Sequence, residues 1–403
     1  MRYTIGQLAE IIDGDRGKNY PKQDEFYPQG YCLFLNTGNV TKEGLIFEEN
    51  QFIMKEKDEA LRKGKLKRGD IVYTTRGTVG NAGYYNSSVP YENVRINSGM
   101  VILRSNGEIV DARFLYQILK SEYYRPYFKQ YCTGSAQPQL PIKNFSQIYL
   151  NVPDIKTQHR IADILSVYDD LIENNQRQIK LLEEAAQRLY KEWFVNLRFP
   201  GHENTKIVDG VPEGWQWCKV RDVADINSSA LPKNYKEDFI DYVDLGSVRC
   251  GHIETRTRYN LNEAPGRAKR CAKDGDIIWG MVRPNLKAYA LVTNPKETDV
   301  FSTGFAVLSA KKVPYSYLYC AVTQEEFVGY LVNATNGAAS PAVKPVHFEV
   351  ADILKPDDKV LEQFHSVADS IYRKKEALEN QNHNLRESRD LILPKLMSGE
   401  VEV

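Results

Sequence analysis

Side chains able to do covalent or metal chemistry are present in this sequence but are not gathered. The six histidines (His159, His202, His252, His347, His365 and His383) form no H-E-x-x-H and no close pair on one face, so no metal centre is expected. The six cysteines (Cys32, Cys132, Cys218, Cys250, Cys271 and Cys320) contain no C-x-x-C and read as reduced core or surface thiols. No G-x-S-x-G is present, and no Cys–His dyad is evident. Gly77-x-x-Gly80-x-x-Gly83 imitates a phosphate loop, but its spacing differs, no Walker lysine follows and no helix opens after it, so a glycine-rich hairpin is expected. What remains is non-covalent chemistry from Arg, Lys, Asn and Gln. Two arginines stand out, Arg76 and Arg283, each six or seven residues after a Gly-Asp pair. A salt bridge within the fold would explain them as well as a ligand contact would.

The elements that must position these residues are organised around one stretch. From Ile155 to Phe194 there is no Gly or Pro, and apolar residues recur at steps of four and three: Ile161, Leu165, Tyr168, Ile172, then Ile179, Leu182, Ala186, Leu189 and Trp193. This is a heptad seam on a long helix, broken by Asn175, a polar residue of the kind that fixes register or partner. A helix of ~40 residues spans roughly 60 Å and needs a second helix against its seam. The chain supplies one at its end. Val360 to Met397 aligns with the first stretch at one offset: Ile161 with Val367 (367 − 161 = 206), Leu165 with Ile371, Ile172 with Leu378, Ile179 with Leu385, and Asn175 with Gln381. Pro394 is expected to end this second helix.

The duplication extends to the globular parts. Lys67-Arg68-Gly69-Asp70-Ile71-Val72 matches Lys273-Asp274-Gly275-Asp276-Ile277-Ile278 at 206, while Phe114, Leu115, Tyr127 and Gly134 match Tyr317, Leu318, Tyr330 and Gly337 at 203. A period near 200 residues means two copies of a domain plus helix. The fold class expected is α+β: two pseudo-repeated globular domains joined by two long antiparallel helices, an intramolecular coiled coil. The boundaries read as 1–154 for the first domain, 155–196 for the central helix, 197–211 for a linker, 212–355 for the second domain and 356–403 for the C-terminal helix. Lys plus Arg (53) equals Asp plus Glu (53), so any polyanion site must be a local patch. No apolar run approaches membrane length and no signal peptide leads the chain, so a cytoplasmic location without membrane contact is expected.

The motifs LIENNQRQIKLLEEAAQRLYKEWF, LILPKLMSGEV, GDIVYTTRGTVG, GDIIWGMVRP and PEGWQW, in this order of unit, helix, unit, helix, resemble the specificity subunit of type I restriction-modification systems. The resemblance covers essentially the whole chain. It implies two target recognition domains, each reading a few base pairs of a bipartite, asymmetric site in double-stranded DNA, and helices that act as a ruler and dock two methyltransferase subunits. It implies no cofactor on this chain: S-adenosylmethionine would sit on the methyltransferase subunits, and ATP and Mg would serve the two restriction subunits where these are added. The Asn/Asp-Pro-Pro-Tyr/Phe tetrapeptide and glycine-rich cofactor motif of adenine methyltransferases are missing here, in keeping with a subunit that catalyses nothing alone.

Reading a sequence requires Arg for guanine, Asn or Gln for adenine, and Lys or backbone amides for phosphates. In the first domain the candidates are Lys67, Arg68, Arg76, Arg95, Asn97, Gln137, Gln139 and Lys143, with Lys65 beside them. In the second they are Arg267, Lys269, Arg270, Arg283, Asn285, Ser340 and Lys344, with Arg256, Arg258 and Lys273 beside them. The 55–68 charge run mixes signs and more often marks a solvated face; RAKRCAK, from Arg267 to Lys273, carries no acid and favours DNA more evenly. The Gln137 loop could equally be a helix C-terminal turn capped by Gly134. Partner docking is assigned to Glu183, Arg188, Lys191, Glu192, Trp193 and Phe194, with core packing the competing reading for the last two. Two rivals come from other classes: a coiled-coil assembly protein that binds protein instead of DNA, and a dispersed-site nuclease, for which no clustered acidic ligands are seen.

Overall fold

The computed structural model describes residues 1–134, 137–335 and 341–402. It divides into two compact units, Met1–Asn174 with Asn382–Val403, and Asn175–Gln381. Each long helix therefore contributes one half to each unit.

In the first unit, an antiparallel sheet has the order Ala9–Asp13, Met100–Ser105, Ile71–Thr74, Ala82–Tyr84. Its central strand, MVILRS, is apolar without alternation because both faces are covered. Val101 and Leu103 face helix Ala112–Lys120, in one core with Phe114, Leu115 and Ile118. Met100 and Ile102 face the other way, into a second core with Leu33, Leu35, Val94 and Ile96. Those last residues belong to a three-stranded sheet in which Cys32–Leu35 runs parallel to Val94–Ile96. The helix starts cleanly, since Asp111 accepts from the Phe114 amide at 3.0 Å. Ile161 and Leu165 of the central helix and Leu393 and Leu396 of the C-terminal helix close the same core.

The second unit repeats this plan. Its antiparallel sheet is ordered Ala224–Ile226, Phe305–Ala310, Ile277–Gly280, Tyr289–Leu291, the counterpart of the first strand for strand. Its second sheet has four strands, with Phe239–Val243 parallel to Asp299–Ser302 at the centre. The Gly-Asp pair does the same work twice. Gly69 and Gly275 take positive φ (+91° and +84°), and Asp70 and Asp276 accept from the amides of Lys67 and Lys273 at 2.7 and 2.8 Å. The long helices pack here through aromatic residues: the Phe194 ring lies 4.8 Å from Tyr317 and 5.0 Å from Phe364, centre to centre.

The central helix is α-helical over Ile155–Tyr190 and turns π-helical over Lys191–Val195. Its seam lies inside as read: Ile161, Leu165, Ile172, Asn175 and Ile179 are buried and Leu182 is half-buried. The C-terminal helix, Asp358–Ser398, departs from expectation twice. Its inner row includes Ile371, Leu378 and Leu385, but Val367 is 46% exposed and Ala368 is buried in its place. Likewise Gln381 gives way to Asn382, and Lys375 and Arg389 also face inward. A search for apolar residues misses Lys375 and Arg389 because ion pairs with Glu183 and Asp169 hold them inside. Nor does Pro394 end the helix, which continues to Ser398. The lost hydrogen bond is local, and Leu393 and Leu396 on either side remain anchored in the first unit's core.

Candidate nucleic-acid interface

In the first unit the chain leaves strand Ile71–Thr74 through Thr75, still buried, and Arg76, the first exposed residue. Both amides donate to the Gly99 carbonyl, at 2.9 and 3.1 Å, so the backbone under Arg76 is held from below. Gly77 (φ +70°) and Gly80 (φ +102°) then reverse the chain, and the Asn81 amide closes the turn on the Thr74 hydroxyl at 2.9 Å. This is the glycine-rich hairpin expected from the sequence. A second loop is laced beside it: Leu140 donates to Thr75 at 2.9 Å, Gln139 and Thr133 exchange amide bonds at 2.9 and 2.7 Å, and Gln139 bridges to Arg76. Gly134 is required there, because at φ +86° a Cβ would stand 2.8 Å from the Gln137 carbonyl. It therefore shapes the loop's own turn instead of capping a helix.

Arg76, Gln137, Gln139 and Lys143 are all exposed on these two loops and the short helix Ile142–Ser146 that follows. Among the described residues no ion pair engages Arg76 or Lys143. A guanidinium fork and carboxamides on one rim can match the edges of guanine and adenine, and an exposed lysine can match phosphate. Asn97 supports this rim from beneath: its carboxamide oxygen accepts from the Gly99 amide at 2.8 Å.

Several other candidates are used up inside the first unit. Arg95 is 5% exposed and donates to Asp58 Oδ1 at 2.5 Å and to the carbonyls of Lys63, Asp58 and Leu61, so it braces the fold and cannot read DNA. Lys65 joins it on Asp58 at 2.5 Å. Burial alone would raise the Asp58 pKa, but the Lys65 and Arg95 hydrogen bonds outweigh it and hold the carboxyl below its usual range. Arg68 is exposed but pinned to its own unit: it donates to the Asn86 and Tyr91 carbonyls at 2.5 and 3.2 Å and lies 4.2 Å from the Tyr85 ring centre. Lys67 is exposed beside it, away from the Arg76 rim's hydrogen bonds.

The second unit rebuilds the rim with different side chains. Met281 donates to Gly304 at 2.9 Å and accepts from Val343 at 2.8 Å, as Thr75 does with Gly99 and Leu140. The positional counterparts of Arg76 and Gln139 are thus Val282 and Ala342, which form the equivalent bridge. Arg283 comes one residue later. Its amide donates to the Pro341 carbonyl at 2.8 Å, and its backbone is left-handed (φ +51°), as is that of Lys287 (φ +52°) at the far end of the turn Pro284–Leu286. Two non-glycine residues in this region cost about 1–2 kcal/mol each, a strain the surrounding bonds must hold. The result is that Arg283 and Asn285 stand exposed on a rigid turn. Ser340 lies outside the described residues.

Arg267 and Lys269 are exposed on either side of buried Ala268, and Lys273 and Lys344 are exposed as well. Arg270 is half-buried, and its Nε has no hydrogen-bond partner among the described residues. Arg256 and Arg258 are engaged within the unit: Arg256 pairs with Asp299 at 3.2 Å, and Arg258 pairs with Asp241 at 2.9 Å over the Phe239 ring.

Of the residues assigned to partner docking, only Arg188 and Lys191 are fully exposed. Phe194 is 5% exposed and Trp193 packs partly buried beside it, both in the second unit's core. Glu192 accepts from Asn196 at 2.7 Å and pairs with Arg198 at 3.3 Å. Glu183 is turned inward onto Lys375 at 2.7 Å and His252 at 3.3 Å. The histidine also meets Glu379 at 2.8 Å. Burial would lower its pKa, but the two carboxylates raise it to about 9. This cluster was not legible as such. Its members Glu183, His252 and Lys375 lie far apart in the chain, and no spacing in the sequence joins them.

Among the described residues there is no group of three His, Cys, Asp or Glu that could hold a metal ion, and no helix is long and apolar enough to cross a membrane. Comparison with known proteins gives a consistent picture. The HindI type I restriction enzyme specificity subunit of Haemophilus influenzae is 23% identical over 465 residues, covering 98% of this chain and 100% of that one. The MjaIX specificity subunit of Methanocaldococcus jannaschii is 25% identical over 360 residues, 86% of this chain and 81% of that one. The crystal structure of a type I restriction-modification S subunit from M. genitalium shares the fold, with a TM-score of 0.54 at 15% identity over 98% of this chain and 95% of that one. Residues 1–184 match the type I restriction modification DNA specificity domain.

Proposed function

We propose that this chain is the DNA-reading subunit of a type I system. It recognises a bipartite, asymmetric site in double-stranded DNA, one half per unit, and catalyses nothing alone. Two adenine-N6 methyltransferase subunits would be brought to one adenine in each half, with base flipping into their pockets. S-adenosylmethionine belongs on those subunits, and ATP and Mg on restriction subunits that cleave when the adenines are unmethylated. The observation that carries this reading is the pair of rims: Arg76 and Arg283 stand on corresponding turns, each laced to a second polar loop, yet with different neighbours. One scaffold presenting two sets of hydrogen-bonding groups is what two different half-sites require.

Selection of bound duplexes from a random pool, by the chain assembled with its modification subunits, tests the proposal. A motif split by unread base pairs is expected, with Arg76→Ala relaxing one half and Arg283→Ala the other. No enriched motif, or both substitutions relaxing the same half, would contradict it.

A further inference from the structure

The long helices carry buried charges in a pattern that apolar packing does not need. In the first unit, Asp169 of the central helix meets Arg389 of the C-terminal helix at 2.8 Å. In the second unit, Glu183 of the central helix meets Lys375 of the C-terminal helix at 2.7 Å. The Lys375 and Arg389 side chains are 7% and 11% exposed, so both cations are largely withdrawn from water. Breaking such a pair leaves an uncompensated charge, which is strongly unfavourable.

The two pairs are related by the duplication. Asp169 is equivalent to Lys375 (375 − 169 = 206) and Glu183 to Arg389 (389 − 183 = 206). At both equivalent positions the charge has opposite sign, acid on the central helix and base on the C-terminal helix. The consequence appears on imagining a homotypic pair. In a central helix packed against a second copy of itself in the same register, the place of Arg389 would be taken by its equivalent, Glu183, so Asp169 would face a carboxylate. Two C-terminal helices would likewise set Lys375 against Arg389. A polar or charged seam position is an established means of choosing a coiled-coil partner.

We infer that the Asp169–Arg389 and Glu183–Lys375 pairs select heterotypic pairing of the two long helices and reject pairing of either helix with a second copy of itself. A duplicated chain needs such a device, because its halves retain matching apolar seams. The charges keep one unit of each kind together in one molecule.

Both clusters contain further charges. Asp169 also meets Lys120 at 2.8 Å, and Arg389 meets Asp390 at 3.1 Å. Glu183 also faces His252, and Lys375 faces Glu379 at 3.6 Å. The full-length chains for the test all carry Lys120→Met, which leaves Asp169 with Arg389 as its cation. Onto this parent are placed a central-helix inversion (Asp169→Arg, Glu183→Lys), a C-terminal-helix inversion (Lys375→Glu, Arg389→Asp), and both together. Thermal midpoints and sedimentation masses are read. Each single-helix inversion should melt roughly 10 °C below the parent and not self-associate. Their equimolar mixture, refolded together, should give a two-chain complex. The chain with both inversions should be monomeric and melt close to the parent. Self-association of either single-helix inversion, a mixture that forms no complex, or a joint inversion no more stable than the single ones would overturn the inference.

Discussion

Asn175 donates through Nδ2 to Oε1 of Gln381 at 3.2 Å, so two positions equated by the internal duplication meet each other in the second unit. Asn175 is 5% exposed on the apolar seam, where a polar side chain sets register at a cost in stability. Replacing both residues by leucine should therefore raise the unfolding free energy, by about 1–2 kcal/mol. Denaturant titration reads this directly. A lower midpoint for the double variant would show that the amides stabilise the pair as well as aligning it.

His252 gives the second unit a pH dependence of definite sign. Its folded pKa, raised to about 9, lies above the ordinary 6.5. The stabilisation from Glu183 and Glu379 is thus fully present below pH 6.5 and is lost as pH rises through about 9. The thermal midpoint of the parent should fall toward that of His252→Gln across this window, leaving a smaller gap at high pH. A gap unchanged from pH 6 to pH 10 would remove the histidine from this role.

Two arginines one strand apart should separate stability from binding. Arg95→Ala leaves Asp58 buried with only Lys65, and should cost about 3–5 kcal/mol of stability in a denaturant titration. Arg76→Ala should change stability by less than about 0.5 kcal/mol while weakening binding of the cognate duplex by about 1–3 kcal/mol in an anisotropy titration. The reverse ranking would reassign both residues.

Lys143 should behave differently from Arg76. Lys143→Ala is expected to weaken binding evenly across sequences and to reduce the slope of log K against log salt by about 1. A change of motif with an unchanged slope would make this lysine a base reader instead of a phosphate contact.

The parts of this architecture legible in sequence are those where one residue type has one physical use. The Gly-Asp turns at Gly69-Asp70 and Gly275-Asp276 and the glycine-rich hairpin after Arg76 are of this kind, since positive φ and an amide-capping carboxylate leave few alternatives. The central helix shows its seam because its inner row is mostly apolar. The C-terminal helix hides half of its own, because Lys375, Asn382 and Arg389 lie inside while Val367 lies outside. Among candidate DNA contacts, composition could not tell Arg95, locked on Asp58, from Arg76, which faces outward; the difference is made by residues far away in the chain. The Arg283 rim was displaced by a single residue. Counting 206 from Arg76 arrives at Val282, and only the Val282–Ala342 bridge shows that the second unit places its arginine one step further along a strained turn.

The most direct test of two-part reading is genome-wide detection of N6-methyladenine in a host expressing this chain with the methyltransferase proposed as its partner, compared with a deletion of the chain. A bipartite motif lost on deletion, and altered in only one half when residues 213–355 are exchanged for those of a relative, is the result expected. Unchanged methylation on deletion, with the methyltransferase demonstrably active, would contradict it.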